Sequence, residues 1–139
     1  MPQSIRDVMT PSPRAMDARA SVQEAAKAML DDDIGDVIVC DGDTVCGIVT
    51  DRDITIRTVA HGKDPAATKL GEICSEDLTS LSLGDTVDDA VRLMREKAIR
   101  RIPVLDDGKP VGIVSIGDLA IDLDADSVLA DISKASANT

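Results

Sequence analysis

Apolar residues recur with helical spacing in two places along the chain. Within residues 22–29 they fall at positions i, i+3, i+4 and i+7, and residues 87–94 repeat this spacing. Such spacing places them on one face of a helix. Ser21-x-x-Glu24 precedes the first stretch as a capping box, and residues 86–89 form a looser version before the second. We therefore predict two amphipathic helices.

Each predicted helix is followed by two short, largely β-branched runs separated by an Asp- and Gly-containing turn. The second run ends in Gly-Ile-Val in both cases, at residues 47–49 and 112–114. Runs of this composition on either side of a turn are typical of paired strands. A further helix is predicted after each hairpin, beginning at Thr50 and at Ser115.

The two patterns are copies of one unit. Residues 8–54 lie over residues 73–119 at an offset of 65, with ten identical pairs in 47 positions and no gap. The pattern predicts an α+β fold with a first repeat at 1–62, a linker at 63–71, a second repeat at 72–124, and a C-terminal helix and frayed tail at 125–139. A copy of about 50 residues has little core of its own, so we expect the two to pack sheet to sheet.

Composition excludes several classes of function. The net charge is −11, and Phe, Tyr and Trp are all absent, which argues against nucleic acid and against anionic membrane surfaces as partners. No apolar run approaches the ~18 residues of a membrane span. Three cysteines without a signal segment favour reduced thiols in a cytoplasmic protein. Cys40 and Cys46 flank a turn and could meet across a hairpin, but buried thiols are the favoured interpretation.

The strand-to-helix junctions carry the candidate chemistry. Thr50 is followed by Asp53, and Ser115 by Asp118. A hydroxyl with an acid three residues later is a common helix cap. The alternative is a nucleotide site, in which the junction binds phosphate, Arg52 adds a charged donor and the acid accepts from ribose hydroxyls. Two copies of the motif favour the nucleotide site.

The same residues resemble a known family. Val-Met-Thr-Pro at 8–11, Gly-Ile-Val-Thr-Asp-Arg-Asp-Ile at 47–54, Ile-Arg-Arg-Ile-Pro-Val at 99–104 and Gly-Ile-Val-Ser at 112–115 are similar to the motifs of tandem CBS domains. The resemblance covers residues ~5–122 and is strongest to small stand-alone bacterial two-CBS proteins. It implies two βαββα repeats packed as a pseudo-two-fold pair with two clefts, and a homodimer of such pairs.

The resemblance also implies a ligand and the residues that hold it. Many CBS pairs bind AMP, ADP, ATP or S-adenosylmethionine, with phosphate and ribose held by the hydroxyl and the acid, and adenine held by backbone and aliphatic side chains. Carried over by position, the first cleft comprises Thr50, Arg52, Asp53, Val8, Met9, Thr10, Val37 and Ile38. The second comprises Ser115, Asp118, Ile73, Ile102 and Pro103, with Arg101 as either a phosphate ligand or a solvated side chain.

We therefore expect a non-catalytic sensor that binds an adenosine nucleotide and changes its conformation or its partner binding. The alternative is a ligand-free dimeric interaction or stress protein on the same scaffold. An enzyme is not expected, because the single histidine, His61, leaves no Ser/His/acid or Cys/His arrangement, and neither a metal nor a resident cofactor is expected. Apolar helix faces around Met29 and Met94 are expected to be uncovered in the monomer and to form the dimer.

Overall fold

The computed structural model describes residues 4–74, 78–123 and 132. The first repeat contains α1 Ile5–Val8, β1 Thr10–Pro11, β2 Ala15–Asp17, α2 Val22–Asp32, β3 Asp36–Asp41, β4 Thr44–Thr50, α3 Asp51–Ile54 and a π-helical segment Thr55–Val59. The second contains α4 Leu70–Ile73, β5 Leu81–Ser82, α5 Val87–Lys97, β6 Arg101–Asp106, β7 Lys109–Ser115 and α6 Ile116–Leu123. Each repeat includes the order β-α-β-β-α, which confirms the predicted α+β class. The predicted C-terminal helix lies outside the described residues, apart from Ile132.

The two long helices begin where their capping boxes predict. The Ser21 side chain accepts from the backbone N–H of Glu24, whose carboxylate accepts in turn from the N–H of Ser21. Thr86 and Asp89 make the same reciprocal pair at 2.9 and 3.2 Å, so the second box is complete as well. Each box satisfies two backbone donors that would otherwise lack partners at a helix start.

The chain divides into two compact units that differ from the two sequence repeats. The first unit joins residues 1–13 to 79–138, and the second is residues 14–78. The sheet of the first unit has the strand order β1-β7-β6-β5, and that of the second has the order β2-β3-β4. Each unit therefore combines the leading helix of one repeat with the hairpin of the other. The leading helices are α1 and α4, the first helix of each repeat.

Backbone hydrogen bonds and close packing hold the leading helices in their units. In the first unit the N–H of Ile5, in α1, donates to the carbonyl of Asp85 at 3.0 Å. In the second the N–H of Leu70, in α4, donates to the carbonyl of Ala20 at 2.9 Å. Each leading helix also packs closely against its unit. In the second unit, a Cβ added to Gly71 would lie only 3.3 Å from Ala18. A Cβ on Gly112 would overlap the Met9 side chain in the first unit.

Each unit has an aliphatic core of its own. The first is built on the buried side chains Ile5, Leu81, Val87, Ala90, Ile102, Val104, Val114 and Leu119. The second is built on Val22, Ala25, Met29, Val37, Val39, Val49, Leu70 and Ile73. The expectation of an uncovered face around Met29 is wrong, because Met29 is only 8% exposed in the second core. Met94 is half-buried and packs against the first core. Flexible Met side chains fill gaps in a core that has no aromatic residue.

Candidate functional site

In the first unit, the junction between β7 and α6 brings a carboxylate and two hydroxyls together. Asp118 accepts from the N–H of Ser115 at 2.9 Å, and its own N–H donates to the Ser115 hydroxyl at 3.0 Å. Strand β1 runs antiparallel to β7 with Thr10 opposite Ile113. As a result the Thr10 hydroxyl lies 3.4 Å from both carboxylate oxygens of Asp118. This exposed contact is longer than the roughly 2.5–3.0 Å that is usual for an O–H···O hydrogen bond, so it is weak.

The equivalent junction of the second unit pairs its carboxylate with a cation. Asp53 accepts from the N–H of Thr50 at 2.8 Å and donates its own N–H to the Thr50 hydroxyl at 3.1 Å. The Nε atom of Arg57 lies 3.9 Å from Asp53, while its Nη1 donates to the carbonyl of Ile73 at 3.0 Å. Arg57 belongs to the π-helical segment, a rare helix form that often marks functional positions.

Both junctions are therefore true capping boxes. This agrees with the interpretation of the two motifs as helix caps. Capping and ligand binding are compatible, because a carboxylate has about four lone-pair sites and the cap uses one of them.

The structure groups the candidate residues differently from the prediction. Val8, Met9 and Thr10 were expected beside Thr50 and Asp53, but they lie in the unit of Ser115 and Asp118. Ile73 was expected in that unit, but it lies in the unit of Thr50 and Asp53. These two assignments were wrong, because the leading segment of each repeat packs with the hairpin of the other.

The remaining apolar candidates are interior residues. Val37 and Ile73 belong to the core of the second unit, Ile102 belongs to that of the first, and Ile38 and Pro103 are buried as well. Val37 and Ile38 lie on β3 beside β4 and the Thr50 junction, and Ile102 and Pro103 lie on β6 beside β7 and the Ser115 junction.

The two candidate arginines occupy different positions in their units. Arg52 lies in the first turn of α3 with an exposed side chain, and its N–H donates to Asp51 at 2.8 Å. Arg101 begins β6, where it pairs with Ser115 across the sheet, and it is already engaged in an interaction. The matching position in the second unit is Asp36, opposite Thr50.

Two of the three thiols, those of Cys40 and Cys74, are poorly suited to act as nucleophiles. All three cysteines are free, and Cys40 lies opposite Val45 in the sheet rather than opposite Cys46. Burial raises the pKa of Cys74 to about 11, and the neighbouring Cys46 adds to the shift. Burial also raises the pKa of Cys40. Because the thiolate is the reactive form, both shifts disfavour Cys40 and Cys74 as nucleophiles at neutral pH.

A cavity opens onto Asp118 in the first unit. It has a volume of about 300 Å³ and is lined by Asp7, Val8, Asp118 and Ile121. Sequence reasoning missed Asp7, Ile121 and Arg57. Only Arg57 had a detectable signal, since it follows Asp53 by four residues on a helix, the spacing of a side-chain ion pair.

Comparison with known proteins identifies the family. The CBS domain family model matches residues 5–57 and 70–124. The chain belongs to the CBS domain family. The CBS domain-containing protein YhcV of Bacillus subtilis is 37% identical over 134 residues, covering 94% of this chain and 95% of YhcV. Pairs of CBS domains are regulatory modules, so the regulatory class expected from the sequence is confirmed at this level.

Solved structures show the same fold. A protein with CBS domains from Burkholderia ambifaria has a TM-score of 0.81 and 31% identity, covering 90% of this chain and 96% of its own. The CBS domain pair of protein MJ0100, solved with 5′-methylthioadenosine and S-adenosylmethionine, also has a TM-score of 0.81 and covers 91% of this chain and 100% of its own. Its identity is 24%, so this likeness shows the fold alone. Within the described residues, no helix is long and apolar enough to cross a membrane.

Proposed function

We propose that this CBS protein is a non-catalytic regulatory module that binds an adenosine ligand at its strand-to-helix junctions. The arrangement of Asp118, Ser115 and Thr10 supports the proposal most directly. Both carboxylate oxygens of Asp118 face the hydroxyl of Thr10 at 3.4 Å. A ribose diol offers two hydroxyl donors at shorter distances and displaces this weak contact. Ligand binding then shifts the population of conformations offered to a partner protein.

The ligand is recognised by its sugar and base together. Asp118 and Asp53 accept from ribose hydroxyls, while backbone groups of β1, β3 and β6 and the aliphatic side chains around them contact the adenine. Arg52 and Arg57 lie beside the Thr50 junction and Arg101 lies opposite Ser115, so each junction has a guanidinium near the place of a phosphate. We place AMP, ADP, ATP and S-adenosylmethionine in this ligand class, because each contains an adenosine.

A thermal melt with these four compounds tests the proposal. At a hundredfold excess over its dissociation constant, a ligand adds about 2.7 kcal/mol to the free energy of unfolding. For a domain of this size, the melting temperature rises by roughly 5–15 °C. CMP and UMP serve as pyrimidine controls and leave it unchanged. A flat response to all four adenosine compounds at millimolar concentration would favour a ligand-free interaction protein instead.

The substitution Asp118→Asn separates ligand binding from capping. Asp89→Asn is the matched control, because both acids belong to the first unit and each accepts from a cap N–H at 2.9 Å. Both changes cost about 0.5–1 kcal/mol of stability through the cap. Only Asp118→Asn also weakens adenosine binding, by about ten- to a hundredfold, because it removes a charged acceptor. Calorimetry that shows equal affinity in the two variants would reduce Asp118 to a helix cap.

We also propose that the protein forms a homodimer through the helices of its second unit. Leu30 of α2 is 68% exposed, and Val59 of the π-helical segment is 61% exposed. Helices α2 and α3 contact each other, and the π-helical segment continues α3. Large aliphatic side chains on two neighbouring helices favour burial against a second copy.

A further inference from the structure

The cavity of the first unit has an acidic wall. Among the described residues, its lining consists of two carboxylates, Asp7 and Asp118, and two aliphatic side chains, Val8 and Ile121. Arg6 adjoins Asp7 in the chain and Arg101 lies opposite Ser115, but neither arginine is among the described residues that line the cavity. A group that enters this cavity therefore meets negative charge on an apolar background.

Asp7 differs from its counterpart in the second repeat. The offset of 65 aligns Asp7 of α1 with Glu72 of α4. The Glu72 carboxylate accepts from the N–H of Lys69 at 2.6 Å and so closes the cap of its helix. Within the described part of the chain, the Asp7 carboxylate makes no hydrogen bond or ion pair. Its charge is thus available to whatever occupies the cavity.

The two junctions also differ in the charge around their acids. Asp53 has the guanidinium of Arg57 at 3.9 Å. At the position equivalent to Arg57 the sequence of the second repeat has an acid, Asp122, so the cation is not repeated. Asp118 instead shares its cavity with another carboxylate, that of Asp7. The acid of the first unit therefore has a second carboxylate beside it, where the acid of the second unit has a guanidinium.

We propose that Asp7 selects the charge of the ligand held at Asp118. This inference rests on the proposed adenosine site. Asp7 favours a ligand whose 5′ substituent carries a positive charge on an apolar stem, as a sulfonium nucleoside does. It disfavours a ligand whose 5′ substituent is a phosphate. The sulfonium ion is attracted by both carboxylates while its methylene and methyl groups contact Val8 and Ile121, whereas both carboxylates repel a phosphate.

Two compounds that differ by one charge test the inference. S-adenosylmethionine carries the sulfonium, and S-adenosylhomocysteine lacks the methyl group and the charge. By calorimetry at 50 mM salt, we expect the wild type to bind the first about tenfold more tightly. Asp7→Asn reduces this preference to about twofold and strengthens AMP binding three- to tenfold. Asp31→Asn is the matched control, because it makes the same charge change on exposed α2 of the second unit, and it retains the wild-type preference.

The possible results distinguish the two proposals. Equal binding of the two compounds by the wild type, or an unchanged preference in Asp7→Asn, would overturn charge selection by Asp7 and leave the adenosine site in place. If Asp31→Asn removed the wild-type preference as fully as Asp7→Asn does, the effect would come from net charge. That result would overturn the role of Asp7. Failure of every adenosine compound to bind at millimolar concentration would overturn the adenosine site itself.

Discussion

At the scale of single residues, Thr58 places a hydroxyl in the interior with nothing to bond to. Its side chain is fully buried, and no group in the described part of the chain donates to or accepts from its Oγ1. A buried hydroxyl without a partner costs the folded state its lost hydration. Thr58→Val keeps the shape and removes the polar atom, so we expect the free energy of unfolding to rise by about 1 kcal/mol in urea denaturation.

Thr68 is the matched control for this prediction. It is also buried, at 6% exposed, but its hydroxyl donates to the carbonyl of Asp64 at 2.8 Å. Thr68→Val removes a satisfied hydrogen bond and is expected to lower the free energy of unfolding by about 1 kcal/mol. Equal destabilisation of the two variants would contradict the prediction, because it would show that the Thr58 hydroxyl has a hydrogen-bond partner in solution.

At the scale of elements, the position of β1 depends on a glycine in β7. A Cβ added to Gly112 would overlap Met9 and lie 3.1 Å from the carbonyl of Thr10. Gly112→Ala therefore displaces the leading segment and separates the Thr10 hydroxyl from Asp118. We expect a loss of about 1–3 kcal/mol in stability and weaker adenosine binding, measured by denaturation and calorimetry. Gly84→Ala is the control, because a Cβ there meets nothing within 4 Å, and no loss is expected.

Local elements were predictable from the sequence because their signals are local. The capping boxes at Ser21 and Thr86 mark helix starts within a few residues, and the turns at the two hairpins separate strands that pair directly. The partner of β1 was not predictable in the same way. A two-residue strand carries almost no pattern, and its pairing with β7 is set by a close approach to Gly112, which is distant in sequence.

The same distinction explains the candidate site. Asp53 and Asp118 were found because motif and spacing repeat at an offset of 65. The residues of the leading segments, such as Thr10 and Ile73, were assigned to the wrong junction, since the sequence order places Thr10 closer to Asp53 than to Asp118. Only the tertiary exchange of leading segments brings the Thr10 hydroxyl to Asp118. Asp7 likewise gains significance only from the cavity it shares with Asp118.

At the scale of the whole molecule, the proposed dimer must form despite a net charge of −11 on each chain. Like charges repel, so aliphatic contacts at Leu30 and Val59 have to outweigh this repulsion, and added salt should strengthen association by screening it. Light scattering at micromolar concentration is expected to show a particle of about 29 kDa, twice the 14.6 kDa chain.

The double change Leu30→Gln and Val59→Gln is expected to weaken the dimer at least tenfold. Leu78→Gln is the control, because Leu78 is exposed in the same unit but lies outside both helices. A 15 kDa wild-type particle, or a double variant that associates as well as Leu78→Gln, would show that these helix faces do not join two copies.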